Sequence, residues 1–232
     1  MSRPEMLEPA AAYALWAENY PPWAHNPVMQ AEQRAMLSLL RTDLDGACVL
    51  DAGCGSGRYL LHALRRGAAR VTGVDFSPEM LARAAQALRA SGFGREIELV
   101  QGDIARLPVP DAFADVTICA LAVGHLETLQ PALSELRRAT RAGGVVLCSD
   151  VHPTGHSLGW LRDFMAGGRH YAVRHTPHSH SGWLTACAES GLQIERVLEP
   201  MLDPADIPAG AHFDPVALEI PVALVFRLRC VS

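Results

Sequence analysis

The run Val49-Leu50-Asp51-Ala52-Gly53-Cys54-Gly55-Ser56-Gly57-Arg58-Tyr59-Leu60 constrains this chain more than any other stretch. A short apolar strand meets an acidic residue, then three glycines at alternate positions, and a helical pattern follows at once. Glycine lacks a Cβ, so the backbone here can approach a ligand closely and take positive φ at no steric cost. Between a strand end and a helix N-terminus, such a loop is a nucleotide-type binding platform. A dinucleotide fingerprint reads Gly-x-Gly-x-x-Gly. Here the glycines are Gly53, Gly55 and Gly57, and the position of the last fingerprint glycine holds Arg58.

Strands and helices alternate around this loop. The pattern predicts a strand over 48–51 with a helix over 56–66. A second strand over 71–75 leads to a helix opening at Ser77-Pro78-Glu79, where Ser77 can cap and Pro78 suits the first helical position. Further strands are expected at 97–100, 116–121 and 145–149, with a helix over 129–141 stopped by Gly143-Gly144. Continuous apolar strands alternating with helices predict an α/β fold whose parallel sheet is covered on both faces. Ligands of such sheets bind beyond the carboxyl ends of the strands, where the glycine loop sits.

Upstream, residues 1–45 read as an N-terminal helical cover carrying Tyr13, Trp16, Tyr20 and Trp23, broken at Pro21-Pro22. The rest, 46–232, reads as one ligand-binding domain. Within it, about 152–181 is polar, histidine-rich and glycine-punctuated, yet holds Trp160, Phe164, Met165 and Tyr171, as expected of a lid or substrate-binding insertion. A helix over 182–190, a strand over 192–197, a loop over 200–215 and a final edge hairpin partner within 218–231 complete the reading.

The apolar share of 49% can build a full core, and a charged share of 19% argues against disorder. A net charge of −5 carries no electrostatic footprint for nucleic acid, and Arg137, Arg138 and Arg141 read as one solvated helix face. No apolar run approaches the roughly 20 residues of a membrane span. Glu5 and Glu8 interrupt anything resembling a secretory signal. Six cysteines lie far apart with no C-x-x-C, and Cys48, Cys119 and Cys148 fall in expected strands as small core residues. That usage suits a reducing, cytoplasmic location. Cys54 reads as a small side chain tucked under the loop, not as a nucleophile.

With Asp51 two residues ahead of the glycines, the loop resembles motif I of class I S-adenosylmethionine-dependent methyltransferases. Further features over about 45–150 are similar to that family in register. Gly73-Val74-Asp75-Phe76-Ser77-Pro78-Glu79-Met80-Leu81 resembles its Gly-x-Asp-x-Ser-x-x-Met-Leu signature. Gly102-Asp103-Ile104 follows the third strand, Ala120-Leu121-Ala122 closes the fourth, and Arg141-Ala142-Gly143-Gly144 matches the turn before the fifth. The resemblance implies a Rossmann-like fold with a seven-stranded, mostly parallel sheet. It also implies S-adenosyl-L-methionine as cofactor. By this resemblance Asp51 holds the loop and the ligand's ammonium, and Asp75 accepts both ribose hydroxyls. Asp103 takes the adenine amino group, the Ile104 amide meets a ring nitrogen, and Phe76 flanks the base. Met80 belongs to the same signature, while Ala120 and Leu121 lie beside the methionine part. Tyr13-x-x-Trp16-x-x-x-Tyr20 looks like the tyrosine-rich helix of the ubiquinone/menaquinone and small-molecule (type 11) branch, with Tyr20 reaching the methionine carboxylate.

Methyl transfer is an in-line displacement at an already activated carbon, so a protein mainly supplies alignment. An oxygen nucleophile also needs its proton removed, which favours a histidine. His125, just past the fourth strand, and His152, just past the fifth, are the candidate catalytic residues, with Asp150 able to orient His152. His170, His175, His178 and His180 lack zinc-type spacing, so no metal is expected and a substrate-facing loop is the preferred reading. The chain lacks the Asn/Asp-Pro-Pro-Tyr/Phe run of amino-methylating nucleic-acid enzymes. With the negative charge, this points to a small, partly apolar acceptor methylated on oxygen or carbon. Two alternatives remain open at this level: a nicotinamide-dependent oxidoreductase, disfavoured by Arg58 and the lack of a Tyr-x-x-x-Lys pair, and a noncatalytic cofactor-binding module.

Overall fold

The computed structural model describes residues 3–93, 96–208 and 215–231. Five strands carry the glycine-loop region: β2 (Cys48–Ala52), β3 (Arg70–Asp75), β4 (Glu96–Gln101), β5 (Ala114–Ala120) and β6 (Thr140–Val151). Two more, β9 (Leu192–Leu198) and β10 (Ala223–Cys230), complete a seven-stranded sheet of order β4-β3-β2-β5-β6-β10-β9. The strand order reverses at β2, and the pairings β2–β3, β2–β5, β3–β4 and β5–β6 are parallel. Only β10 runs against its neighbours.

Strand residues alternate between two apolar cores, as a period of two requires. Val49, Ile118, Leu147 and Val225 face one side, against α2 (Pro27–Leu39), α3 (Arg58–Arg65) and α4 (Pro78–Ala90). Leu50, Cys119, Val146, Cys148, Leu224 and Phe226 face the other, against α5 (Gln130–Ala139) and α7 (His180–Glu189), where the Trp183 ring stacks on Phe226 at 4.4 Å. The helix starts follow from local chemistry. Asn26 accepts the Met29 N–H ahead of Pro27, and Ser77 accepts the Met80 N–H ahead of Pro78.

Three sequence expectations change. The last strand is not an edge: β10 lies between β6 and β9 and is buried almost throughout, while β9 exposes Gln193, Glu195, Arg196 and Val197 and takes the edge. A nearly continuous apolar strand belongs inside a sheet, and one with charged, exposed residues at its border. Helix α5 ends at Ala139, and β6 begins at Thr140 with Gly143-Gly144 inside its irregular start. The N-terminal cover is only partly helical. Residues Glu5–Leu7 form β1, which adds to the hairpin β7 (Arg162–Ala166) and β8 (Arg169–Val173) of the insertion, ahead of helix α1 (Pro9–Trp16). The insertion also holds the short α6 (Pro153–Ser157). Cover and insertion pack as one layer, with Trp16 stacked on Phe164 at 4.6 Å and Tyr13, Tyr20, Met29 and Tyr171 in the same cluster. Of the expected loop over 200–215, Pro204–Asp206 forms a short turn, and 209–214 lie outside the described residues.

Candidate active site

The glycine loop joins the end of β2 to α3 and is pinned to the neighbouring strand, with the Gly53 and Cys54 N–H groups donating to the Val74 carbonyl at 2.7 and 2.9 Å. At Gly53 the backbone has φ +76°, and a Cβ would lie 2.6 Å from that of Ala122, in the turn after β5. The glycine is therefore required by contact as well as by conformation. At the tip of β3, Asp75 Oδ2 accepts the Gly55 N–H at 2.7 Å and Oδ1 accepts the Ser77 N–H at 2.9 Å. Each oxygen keeps a further lone pair, so the carboxylate can still accept a diol. Burial raises the Asp75 carboxyl above its ordinary value against the pull of these N–H groups.

Over the loop lies a cavity of about 300 Å³, within the range of ligand sites. Twelve residues expected at a cofactor site line it together: Tyr20, Asp51, Gly53, Cys54, Gly55, Asp75, Phe76, Met80, Asp103, Ile104, Ala120 and Leu121. Gly57 does not. It caps α3 in the left-handed region and faces Ala84 of α4, so it serves helix packing. The Cys54 thiol is buried between the loop and Gly73, and burial raises its pKa well above the ordinary range, which suits packing and not nucleophilic attack. Leu121 is one of two non-glycine residues at positive φ (55°) among the described residues, a strained backbone on the cavity wall.

Asp51 is 1% exposed, and neither carboxylate oxygen has a hydrogen-bond partner among the described residues. Burial pushes its pKa from 3.8 up to about 7, with Arg58 opposing and Asp75 and Glu32 adding. A buried acceptor without a donor costs free energy, and an ammonium would remove that cost. The cavity also holds the converse. The Arg162 guanidinium donates to the Leu121 carbonyl at 2.9 Å and the Tyr20 hydroxyl at 3.4 Å, and lies 5.6 Å from the Tyr13 ring centre. Among the described residues its hydrogen-bond partners are neutral. A carboxylate with no hydrogen-bond donor and a guanidinium with no ion pair among the described residues, both lining one cavity, complement an amino-acid zwitterion. Arg162 carries no motif and sits in the insertion, so only its placement reveals it.

Glu32 was equally invisible as a polar residue on a helix. It is fully buried and ties α2 to α3 and β6, pairing with Arg58 at 3.0 Å and accepting from the Tyr59 hydroxyl at 2.9 Å and the Ser149 hydroxyl at 2.6 Å.

The histidines rearrange the catalytic expectation. His125 lines the cavity, but both ring nitrogens are engaged: Nδ1 lies 3.3 Å from the Arg174 carbonyl and Nε2 2.9 Å from the Tyr13 hydroxyl. Burial, with Arg162 and His175 adding, drives its pKa down to about 3, so it is a neutral hydrogen-bonding group. His152 is buried away from the cavity. Its Nδ1 accepts the Thr154 N–H as the cap of α6, and Nε2 meets Glu199 at 3.0 Å. It lies outside both cavities and not at the expected reaction centre, because the chain turns into α6 at Pro153 and the imidazole closes that turn. Asp150 does not orient His152; it meets His175 Nε2 at 3.0 Å. The other histidines scatter, His170 to Asp163, His178 to the Val123 carbonyl and His180 to Glu199. His152, His180 and Glu199 bring ligand-type atoms within 4.8 Å of one another. The Thr154 N–H on Nδ1 leaves the His152 proton on Nε2, facing Glu199 and not a metal.

A second cavity of about 1170 Å³ adjoins the first and shares Met29, Leu121 and Arg162 with it. Its walls are largely apolar and come from the cover and insertion, including Trp16, Val28, Trp160, Leu161 and Phe164.

A doubly wound sheet with a glycine loop at its switch point and acidic strand tips is the arrangement of enzymes that bind nucleotide-type ligands at that edge. The comparisons agree. Residues 50–148 match the methyltransferase domain family. The chain is similar to malonyl-[acyl-carrier protein] O-methyltransferases of Serratia marcescens (41% identical over 106 residues, 46% of this chain and 39% of the relative) and Yersinia pestis (37% over 142 residues, 61% and 49%). It spans about half or less of the length of these curated relatives. Among solved structures it is similar to an S-adenosylmethionine-dependent methyltransferase from Mesorhizobium loti, with 27% identity, TM-score 0.67, and 86% of this chain and 97% of that chain covered. Over residues 50–148 the chain thus carries a methyltransferase domain of the type 11 group, and S-adenosyl-L-methionine is the cofactor that this match and the similar solved structure support.

Proposed function

We propose that this protein transfers a methyl group from S-adenosyl-L-methionine to oxygen or carbon of a small, partly apolar molecule seated in the larger cavity. The shared wall carries the reading. Leu121, Met29 and Arg162 border both cavities, so a ligand in the smaller one meets a ligand in the larger one at that wall. When bound, the cofactor supplies an electrophilic methyl group on a positively charged sulfur. Asp51 would face its ammonium, Arg162 and Tyr20 its carboxylate, Asp75 its ribose diol, and Asp103 with Ile104 its base. The cover and insertion exclude water and hold both ligands in line. The O-methyltransferase names of the curated relatives support oxygen as the atom methylated. Six free cysteines support a cytoplasmic site of action, and no described helix is long and apolar enough to cross a membrane.

Calorimetry with S-adenosylmethionine, S-adenosylhomocysteine and NAD tests the cofactor. The first two bind and NAD does not. Asp75→Ala weakens binding by at least tenfold, since each charge-assisted bond is worth about 1.5–3 kcal/mol. Transfer of a labelled methyl group to candidate acceptors tests the reaction. Preference for NAD, or binding without transfer to any acceptor that occupies the larger cavity, refutes the reading.

A further inference from the structure

We propose that His175, held by Asp150, is the proton acceptor for a hydroxyl-bearing acceptor, so that the larger cavity binds phenols or enols and ionises them. The inference rests on the methyl-transfer reading above and names the residue and substrate class it lacks.

Neither histidine expected from the sequence can serve. His125 has both nitrogens engaged, and His152 lies off both cavities. His175 lines the larger cavity. Its Nε2 lies 3.0 Å from Asp150 Oδ1, with the two side chains 11% and 2% exposed. A carboxylate accepts, so Nε2 carries the proton and Nδ1 carries the lone pair. No hydrogen bond is made to Nδ1 among the described residues. The carboxylate fixes the tautomer and stabilises the imidazolium that forms when Nδ1 takes a proton.

The surrounding chain is built for this pair. The Thr176 N–H donates to the Gly124 carbonyl at 2.7 Å and the Arg174 N–H to the Leu7 carbonyl at 2.8 Å, which clamps the backbone on both sides of His175. A Cβ on Gly124 would lie 2.0 Å from His175 Nε2 and 2.6 Å from Asp150 Oδ2, so glycine there makes room for the contact. Asp150 Oδ2 is buried without a partner among the described residues, leaving the carboxylate uncommitted except to His175 and the Val151 N–H. Asp150 and His125 face the imidazole, and the charged Arg162, Asp163 and Arg174 line the rest of the cavity wall together with His25 and His156.

In the reaction the acceptor O–H proton passes to His175 Nδ1. The freed oxygen electron pair bonds to the methyl carbon, and the carbon–sulfur pair stays on sulfur, leaving a neutral thioether. His175 is then an imidazolium that returns its proton to solvent. Asp150 is a positioning residue that acts through His175.

The probe is 4-nitrophenol, whose phenolate is coloured, titrated from about pH 5 to 8 onto the full chain saturated with S-adenosylhomocysteine. The bound probe ionises with a midpoint at least about one pH unit, or tenfold, below that of the free probe. His175→Gln and Asp150→Asn return the midpoint to the free value, and His152→Gln leaves it as in the wild type. Equal ionisation by His175→Gln, or a wild type that binds the probe only as the neutral phenol or not at all at millimolar concentration, overturns the proposal. Long-range proton–nitrogen spectra of histidine-labelled wild type cover the case in which a variant fails to fold. His175 appears as the Nε2–H tautomer, and the Nδ1–H tautomer overturns the assignment. Binding of S-adenosylhomocysteine, read first in each sample, separates the two levels. Its absence overturns both readings, and its presence with an un-ionised probe overturns this one alone.

Discussion

Replacing Asp51 by asparagine separates the demands of folding from those of binding. In the folded protein without ligand, burial raises the carboxyl from 3.8 to about 7. An acid whose folded pKa lies above its unfolded value contributes full stability below the unfolded value. That contribution is lost as pH rises toward the folded one. From 3.8 to about 7, at 1.36 kcal/mol per pH unit, the ionisable side chain costs about 4 kcal/mol once the pH exceeds 7. At about pH 5 only about 1.6 kcal/mol of this has developed. Asparagine has its own unsatisfied polar atoms, costing about 1–3 kcal/mol, but that cost does not vary with pH. The stability of Asp51→Asn relative to wild type therefore rises by roughly 2–3 kcal/mol between about pH 5 and pH 8. For a domain of this size that is roughly 4–12 °C in melting temperature. Thermal unfolding of both proteins at the two pH values, without ligand, is the assay. The same variant loses affinity for S-adenosylmethionine in calorimetry, because the amide offers no charge to the ammonium. A variant-minus-wild-type difference in melting temperature that stays constant with pH, or falls toward alkaline pH, refutes the account of Asp51 as a carboxylate held at a cost for its ligand.

Gly53→Ala places a methyl group 2.6 Å from the Ala122 Cβ at φ +76°, and should cost about 1–3 kcal/mol in denaturant melts together with most of the cofactor affinity. Glu32→Gln breaks a fully buried ion pair with Arg58, and its expected cost in chemical denaturation is about 3–5 kcal/mol. His152→Ala should lower stability by about 0.5–2 kcal/mol through loss of the α6 cap, with initial rates of labelled-methyl transfer unchanged. A rate loss exceeding its stability effect would return His152 to the mechanism.

How much of the site was legible follows from where each signal lies. The glycine loop, Asp75, Asp103 and Ile104 sit at strand ends a fixed distance from local motifs, so their convergence on one cavity could be read before any coordinates. The strand ends of a parallel sheet meet at one edge whatever the loops do. The histidines could not be assigned this way. His125, His152 and His175 look alike in sequence, and their roles depend on partners 25 to 112 positions away: Tyr13, Glu199 and Asp150. Arg162 and Glu32 gave no signal, since nothing local distinguishes a buried charge from a solvated one.

The sequence by itself determined the alternating strands and helices, the cap at Ser77, and the backbone freedom of the loop, because hydrophobic period and local hydrogen bonding act within a few residues. Only tertiary structure decided that β10 enters the sheet between β6 and β9. It also decided that the cover and insertion form one layer over two adjoining cavities, and which imidazole meets which carboxylate. Those outcomes depend on contacts between distant segments, where burial, and not spacing, sets the energy.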